Sequence, residues 1–298
     1  MRPLLTLVIY LVVVFVGGAL LAPWLYWSAQ HAAQSFPKIA GAPFHRFVDR
    51  SILILALAGL WPLLRSLGAK SARDLGIVPP YDNLKKLFGG LLLGFLSLAV
   101  VAGIAICCGA RAPVQNPGAH KIIGIIFSAI GTAMVVATLE EILFRGGIFG
   151  GLRRMIYWPI ALAISSGIYA ITHFLQRAEF TGAITWNSGL ILLPRMLAGF
   201  IDFHAFIPAF LGLTLAGILL GLAYQRTGNL YFSIGLHAGW VFMLKIYGAL
   251  TADAPDAAIW FFGSGKMIDG WLAFFVLAAI LFIFKFLPLE KRSPFTIP

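Results

Sequence analysis

Residues 121–151 read KIIGIIFSAIGTAMVVATLEEILFRGGIFGG, an apolar run that carries Glu140, Glu141 and Arg145 in its second half. A spanning helix needs about 20 apolar residues, and an ionised side chain at mid-membrane costs roughly 2.5–3.5 kcal/mol on insertion scales. Three such residues within six positions must therefore face protein or water. The stretch predicts a transmembrane helix whose buried charges have a function.

The composition of the whole chain also indicates a membrane protein. Of its 298 residues, 60% are hydrophobic and 11% are charged, and the mean hydropathy is +0.92. Soluble domains carry about 25% charged residues, so an ordinary water-soluble globule and a disordered chain are both excluded. The 22 Lys and Arg residues outnumber 11 Asp and Glu residues and are scattered between apolar runs. This pattern favours the anionic head groups of a lipid bilayer as partners, and not nucleic acid.

Apolar runs predict an all-α fold, a polytopic transmembrane helical bundle with about eight spanning helices. The runs cover residues 3–27, 51–67, 87–109, 121–151, 156–175, 206–224, 229–249 and 270–288. An amphipathic, interfacial elbow is expected at residues 68–86. Eight spans place both termini on one side, and the loops of that side hold more Lys and Arg, which predicts cytoplasmic termini.

Spacing within the charged stretch predicts which side chains pair. Glu141 and Arg145 are four positions apart, so they share a helix face and are expected to form an ion pair. Glu140 lies about 100° further around the helix and needs another partner. A structural ion pair that locks two helices together is the alternative reading of Glu141 with Arg145.

Two histidines lie in later apolar runs, His173 near the end of the fifth and His237 in the middle of the seventh. Glu140, His173 and His237 could converge on a water molecule, which the carboxylate would deprotonate while an imidazole donates to the oxyanion or the leaving amine. The same three side chains could instead hold a divalent metal such as zinc. Each histidine alone is explained as simply by a hydrogen bond between helices.

At these residues the chain resembles the type II CAAX prenyl endopeptidase and bacteriocin-processing family of intramembrane proteases, also called CPBP or Abi. That family has E-E-x-x-x-R in one helix, F-x-x-x-H in the next and H-x-x-x-[N/D] further on. The first motif matches in full at Glu140, Glu141 and Arg145. The second is present as Tyr169-x-x-x-His173, with tyrosine in place of phenylalanine.

The third motif matches only in part. His237 fits, but Val241 stands where the family has an amide or an acid. Asn187 or Asn229 could supply the missing amide. The resemblance covers about residues 116–250, which divides the chain into N-terminal helices with the elbow (1–115), a catalytic core (116–250), and a C-terminal loop with the last helix (251–298).

The resemblance implies a role for each residue of the first two motifs and for the second histidine. Glu140 would activate water with the help of His173, His237 would stabilise the oxyanion, and Glu141 and Arg145 would support the site or bind substrate. The implied activity is hydrolysis of a peptide bond in a membrane-associated or lipidated protein or peptide, by a glutamate- or metal-dependent mechanism. The implied location is a prokaryotic cell membrane.

Two other functions fit the same residues. A proton-coupled membrane transporter would use intramembrane Glu, Arg and His as a proton relay, although neither broken helices nor a two-fold repeat is visible in the sequence. A non-catalytic membrane adaptor or immunity protein on the same scaffold is favoured by Val241.

Overall fold

The computed structural model describes residues 2–175, 178–197, 203–284 and 286. About three quarters of these residues are helical and only six lie in strands, which confirms the predicted all-α fold. The helices are α1 (Arg2–His31), α2 (Pro37–Ala40), α3 (Phe44–Ser66), α4 (Leu84–Cys107), α5 (Ala119–Glu141), α6 (Gly150–Leu152), α7 (Trp158–Thr172), α8 (Ser188–Met196), α9 (Phe203–Thr227), α10 (Tyr231–Leu250), α11 (Ile259–Phe262) and α12 (Trp271–Phe284). A 3₁₀ turn covers Ala72–Leu75, and a π-helical segment, Ile142–Phe149, joins α5 to α6.

Two short strands pair where the sequence predicts only loops. Strands β1 (Arg111–Pro113) and β2 (Thr251–Asp253) are antiparallel, with Arg111 opposite Asp253. The Arg111 side chain forms an ion pair with Asp253 and lies over the ring of Tyr247, 4.8 Å from its centroid. This contact joins the end of α4 to the end of α10.

Six helical stretches in the described part of the chain are long and apolar enough to cross a membrane. They are Leu4–His31, Phe44–Ser66, Leu84–Cys107, Ala119–Leu152, Phe206–Thr227 and Tyr231–Leu250. The other two predicted spans correspond to the shorter apolar helices α7 and α12, of 15 and 14 residues. At 1.5 Å per residue these reach about 21–23 Å, less than the hydrocarbon thickness of about 30 Å. The expected eight full-length spans are therefore six long helices and two short ones.

The chain divides into two compact units, of which the first comprises Met1–Lys70 and Thr172–Ile201. Within it, α1 packs along α3 and α8. These contacts are close because small residues stand at the crossings: a Cβ added to Gly18 would lie 2.7 Å from the side chain of Ile52, and one on Gly189 would overlap the carbonyl oxygen of Ala19. The division of the chain at residues 115 and 250 stays a prediction.

The second unit comprises Ser71–Ile171 and Asp202–Pro298, and within it α10 packs against α4, α5 and α9. Helices α4 and α10 each carry a G-x-x-x-G pair at their crossing, the spacing that lets helix backbones approach closely. A Cβ on Gly94 would overlap the carbonyl oxygen of Leu236, and one on Gly235 would overlap that of Leu87. The second members of the two pairs are Gly90 and Gly239.

The same crossing sets the rotation of α10 about its own axis. Trp240 Nε1 donates a hydrogen bond to Ser97 Oγ on α4, at 2.9 Å. His237 is two residues from Gly235 and hence about 200° around the helix from it. With Gly235 held against α4, the side chain of His237 is directed away from α4 and toward α5.

Candidate active site

The first charged motif lies where the helix changes geometry. Glu140 and Glu141 are the last residues of α5, and Arg145 is inside the π-helical segment. Segments of this kind are frequent at functional sites, because the wider turn displaces side chains and backbone groups from α-helical register. Ser165 Oγ, on α7, donates a hydrogen bond to the Phe144 carbonyl oxygen at 3.1 Å, which satisfies one backbone acceptor of this segment.

Glu141, Arg145 and His237 form a buried, hydrogen-bonded cluster. Arg145 Nη1 donates to Glu141 Oε1 at 2.9 Å, which confirms the predicted ion pair, and His237 Nδ1 lies 3.0 Å from the same oxygen. Glu141 is 0% exposed. An ionised carboxylate only accepts hydrogen bonds, so the proton of this contact is on Nδ1. His237 therefore presents its other ring nitrogen, Nε2, to the remainder of the site.

The guanidinium of Arg145 is held from two further helices. It lies over the ring of Tyr169 on α7, 4.3 Å from the centroid, and Nη2 is 3.4 Å from the Gly217 carbonyl oxygen on α9. A buried charge persists only when it is paired and hydrogen-bonded, and a guanidinium over an aromatic face gains a cation–π attraction. Arg145 thus connects α5, α7 and α9 around Glu141.

Glu140 occupies a different environment from its neighbour. Its side chain is 28% exposed, and its Oε2 lies 3.8 Å from His237 Nε2. The two nitrogens of one imidazole thus face two carboxylates, one enclosed and one accessible. Adjacent carboxylates in unlike surroundings are suited to unlike tasks, one structural and one chemical.

His173 belongs to the first unit. It follows Thr172 directly, in the turn that ends α7, and its side chain is exposed. The structure therefore brings together four of the five predicted catalytic residues, Glu140, Glu141, Arg145 and His237, within the second unit.

The sequence allows a divalent metal at Glu140, His173 and His237. Across the described residues, no group of three His, Cys, Asp or Glu side chains is arranged to hold a metal ion. The conditional metal-binding role of Glu140, His173 and His237 stays a prediction.

The side chain of Val241 and its surroundings are both apolar. Val241 packs with Ala133, Ala137 and Ala238. Asn229, which could have supplied an amide, donates instead to Asn83 Oδ1 at 3.0 Å, at the start of α10. In the first unit, Oδ1 of Asn187 accepts a hydrogen bond from Thr185 Oγ1 at 2.8 Å.

Comparison with known protein families identifies the segment that contains this cluster. Residues 122–243 match the family model of Rce1-like type II CAAX prenyl endopeptidases. The match covers about two fifths of the chain and confirms the resemblance found in the motifs. It supports an intramembrane protease of the CAAX type in general terms, in an integral membrane protein. None of the curated proteins or solved structures compared with the chain matches it.

An apolar groove of about 960 Å³ lies between α4, α5 and α10. Two of these helices overlap the Rce1-like segment. Thr138, Ile142 and Ala238 are in its wall, whereas Glu140 and His237 do not line it. This groove cannot be predicted from hydropathy, because its lining does not differ from the lipid-facing residues of any spanning helix. The two G-x-x-x-G spacings were the available signal for the crossing that forms one side of it. Further lining residues are Leu87, Phe88, Leu91, Ile130, Met134, Ile142, Ile234 and Phe242.

Proposed function

We propose that the protein is an intramembrane endopeptidase that hydrolyses a peptide bond of a membrane-associated or lipidated protein or peptide. The match to Rce1-like proteases supports protease activity in general. The observation that carries the proposal is the 3.8 Å separation between Glu140 Oε2 and His237 Nε2. The Glu140 side chain is 28% exposed although Oε2 itself is buried, and the enclosed pair of Glu141 and Arg145 lies on the other side of the imidazole. A water molecule placed there is within hydrogen-bonding reach of both groups.

In the proposed reaction Glu140 is the general base. It takes a proton from water as the water oxygen bonds to the carbonyl carbon, and the π electrons of the carbonyl move to its oxygen. In this proposal His237 is protonated on both ring nitrogens, so that its Nδ1–H donates to Glu141 while its Nε2–H donates to this oxyanion. The C–N bond then breaks, and the amine nitrogen takes the proton held by Glu140. His173 is proposed to assist Glu140, a role that rests on the family resemblance.

Glu141 and Arg145 are proposed to act through His237. The carboxylate of Glu141 accepts a hydrogen bond from Nδ1–H, which fixes the ring orientation and stabilises the imidazolium, as a buried acid does in other catalytic clusters. Arg145 compensates the negative charge that the carboxylate carries inside the protein. In this arrangement Glu141 does not contact substrate.

The groove supports a substrate anchored in the membrane. Its lining is almost wholly hydrocarbon, and apolar clefts of this size bind ligands by removing apolar area from water. We propose that a lipid chain or an apolar segment of the substrate lies between α4, α5 and α10, while the scissile bond reaches Glu140. The proposed location is a prokaryotic cell membrane, which rests on the family resemblance. The proposed cytoplasmic position of both termini rests on the distribution of Lys and Arg.

The Glu140→Gln variant tests the proposal, because it removes the base and retains the size of the side chain. Purified wild-type protein is expected to cleave members of a panel of lipidated and membrane-anchored peptides, and the variant to lose cleavage by at least 10²-fold, the usual contribution of a general base. Glu179→Gln, at an exposed position of the first unit, is the matched control and should cleave like the wild type.

A folded wild-type protein that cleaves no peptide of the panel would contradict the proposal. If Glu140→Gln also abolished proton-driven uptake into liposomes, the transporter would be the correct function. Absence of both activities would favour the adaptor.

A further inference from the structure

Tyr169 is a further polar side chain of the buried cluster, and the reaction proposed above does not use it. The residue is 3% exposed. Its ring stands edge-on to Phe144, with centroids 5.2 Å apart, and edge-on to His237, with centroids 6.1 Å apart. The Arg145 guanidinium covers one ring face at 4.3 Å. These contacts hold the ring in one orientation beside the imidazole.

The hydroxyl of Tyr169 lies in the electrostatic field of the catalytic groups. It lies within electrostatic range of the charges of Glu140, Arg145 and Glu141. A neutral phenol carries one O–H that can donate a hydrogen bond. The cation over the ring face draws on the same π electrons, which makes the O–H a stronger donor.

The reaction requires donors at the oxyanion, and donors of this kind are the largest single contribution in many acyl-transfer enzymes. His237 Nε2 provides one. One helical turn later Val241 provides none, since it is a hydrocarbon side chain packed among alanines, and the amide of Asn229 is bonded to Asn83. Tyr169 borders the imidazole of His237 and interacts with Glu140, which places it beside both groups that meet the substrate carbonyl.

We infer that the Tyr169 hydroxyl is a second hydrogen-bond donor to the oxyanion formed during peptide hydrolysis. The inference rests on the proposed endopeptidase function. As water bonds to the carbonyl carbon and Glu140 takes its proton, the carbonyl oxygen gains the electron pair and accepts hydrogen bonds from Tyr169 and His237. Tyr169 keeps its proton throughout. When the C–N bond breaks, the pair returns to the carbonyl and the amine takes the proton from Glu140.

The Tyr169→Phe variant removes the hydroxyl and retains the ring that carries Arg145. We expect kcat to fall about 10²-fold, the effect of losing one oxyanion donor, while KM and the affinity for an uncleaved peptide stay at wild-type values. The affinity for a phosphinate peptide, whose tetrahedral phosphorus resembles the intermediate, should fall by the same factor as kcat/KM. A merely structural role would not separate these two affinities. Tyr247→Phe, at a buried tyrosine on α10 beside Arg111, is the matched control and should leave all three quantities unchanged.

Wild-type kcat in Tyr169→Phe, or equal losses of affinity for the peptide and for the phosphinate, would overturn the inference and leave the endopeptidase function standing, provided that Glu140→Gln is inactive. Equal activity in the wild type and in Glu140→Gln would overturn both.

If Tyr169→Phe does not fold, a second experiment replaces Tyr169 by 3,5-difluorotyrosine, which retains the ring and the hydroxyl but loses the hydroxyl proton at lower pH. The alkaline limb of kcat should then move to lower pH, and an unmoved limb would overturn the inference.

Discussion

Glu140 and Glu141 show how much the surroundings of a residue decide its chemistry. They are neighbours at the end of α5, yet Glu141 is fully enclosed while the side chain of Glu140 is 28% exposed. The difference follows from the helix, since successive side chains diverge by about 100°. One carboxylate is therefore directed into the Arg145 cluster and the other toward accessible space.

At this scale we expect the two carboxylates to differ in their effect on stability. Glu141→Gln leaves the guanidinium of Arg145 buried without its counter-charge, and should lower the free energy of unfolding by about 3 kcal/mol. Glu140→Gln should lower it by no more than about 1 kcal/mol. Denaturant unfolding in one detergent measures both variants beside the wild type, and equal losses would contradict the assignment of a structural role to Glu141.

Among the elements, α10 relies on small residues for its packing against α4. Its G-x-x-x-G pair meets the pair on α4 so closely that backbone contacts backbone, and Trp240 bonds across to Ser97. The crossing has two effects, because it holds the helices together and also fixes the face on which His237 stands. The π-helical segment acts similarly on the other side, where it places Arg145 against α7 and α9.

Gly94→Ala tests this role of the crossing. The added methyl overlaps the Leu236 carbonyl oxygen, so α4 and α10 must separate, at a cost of about 1–3 kcal/mol, and cleavage should fall because His237 moves with α10. Gly103→Ala on the same helix meets nothing within 4 Å. It should be neutral or stabilise by up to about 1 kcal/mol. Thermal unfolding and peptide cleavage are to be measured on both variants. Equal results for Gly94→Ala and Gly103→Ala would contradict this role of the crossing.

On the scale of the whole molecule, the groove offers a reason why a buried polar cluster occurs in a protein with an apolar exterior. Six helical stretches of the described residues are long and apolar enough to cross a membrane, and the proposed substrate is anchored in the same membrane. The charges proposed to act in catalysis belong to α5, the π-helical segment and α10, and α5 and α10 with α4 also form the walls of the groove. In the proposed function, the same helices would bind an apolar anchor and cleave a peptide bond.

Filling the groove should therefore affect anchored substrates selectively. Leu91→Trp places a larger ring in the groove wall on α4. We expect KM to rise about tenfold for a lipidated peptide, which corresponds to about two lost methylene contacts, and to stay unchanged for a short peptide without an anchor. Leu96→Trp, an exposed position of α4 outside the groove, is the control. An equal rise in KM for both peptides would show that the groove does not bind the anchor.

Hydropathy was sufficient to predict most of the helices. It failed where residues that are buried by packing stand among polar residues in the sequence. The sequence placed the second span at Ser51 because charged residues precede it, but α3 begins at Phe44, since Phe44, Phe47 and Val48 recur at helical spacing and are buried together. Helix α8 was missed inside a loop for the same reason: its buried residues, among them Leu192 and Met196, pack against α1 and α3. Such contacts are long-range, and a reading based on hydropathy alone does not detect them.

The local pattern of residues was enough to establish a helical membrane protein with an ion pair between Glu141 and Arg145, because transfer into lipid and the four-residue spacing act within a single helix. The contact of His237 with Glu141 joins residues 96 positions apart. It depends on the rotation of α10 about its axis, which the close contact of Gly235 and Gly239 with α4 fixes. The same packing brings Tyr169 beside the imidazole and opens the groove. These features depend on which helix faces meet, and that is decided by the packing of the folded chain.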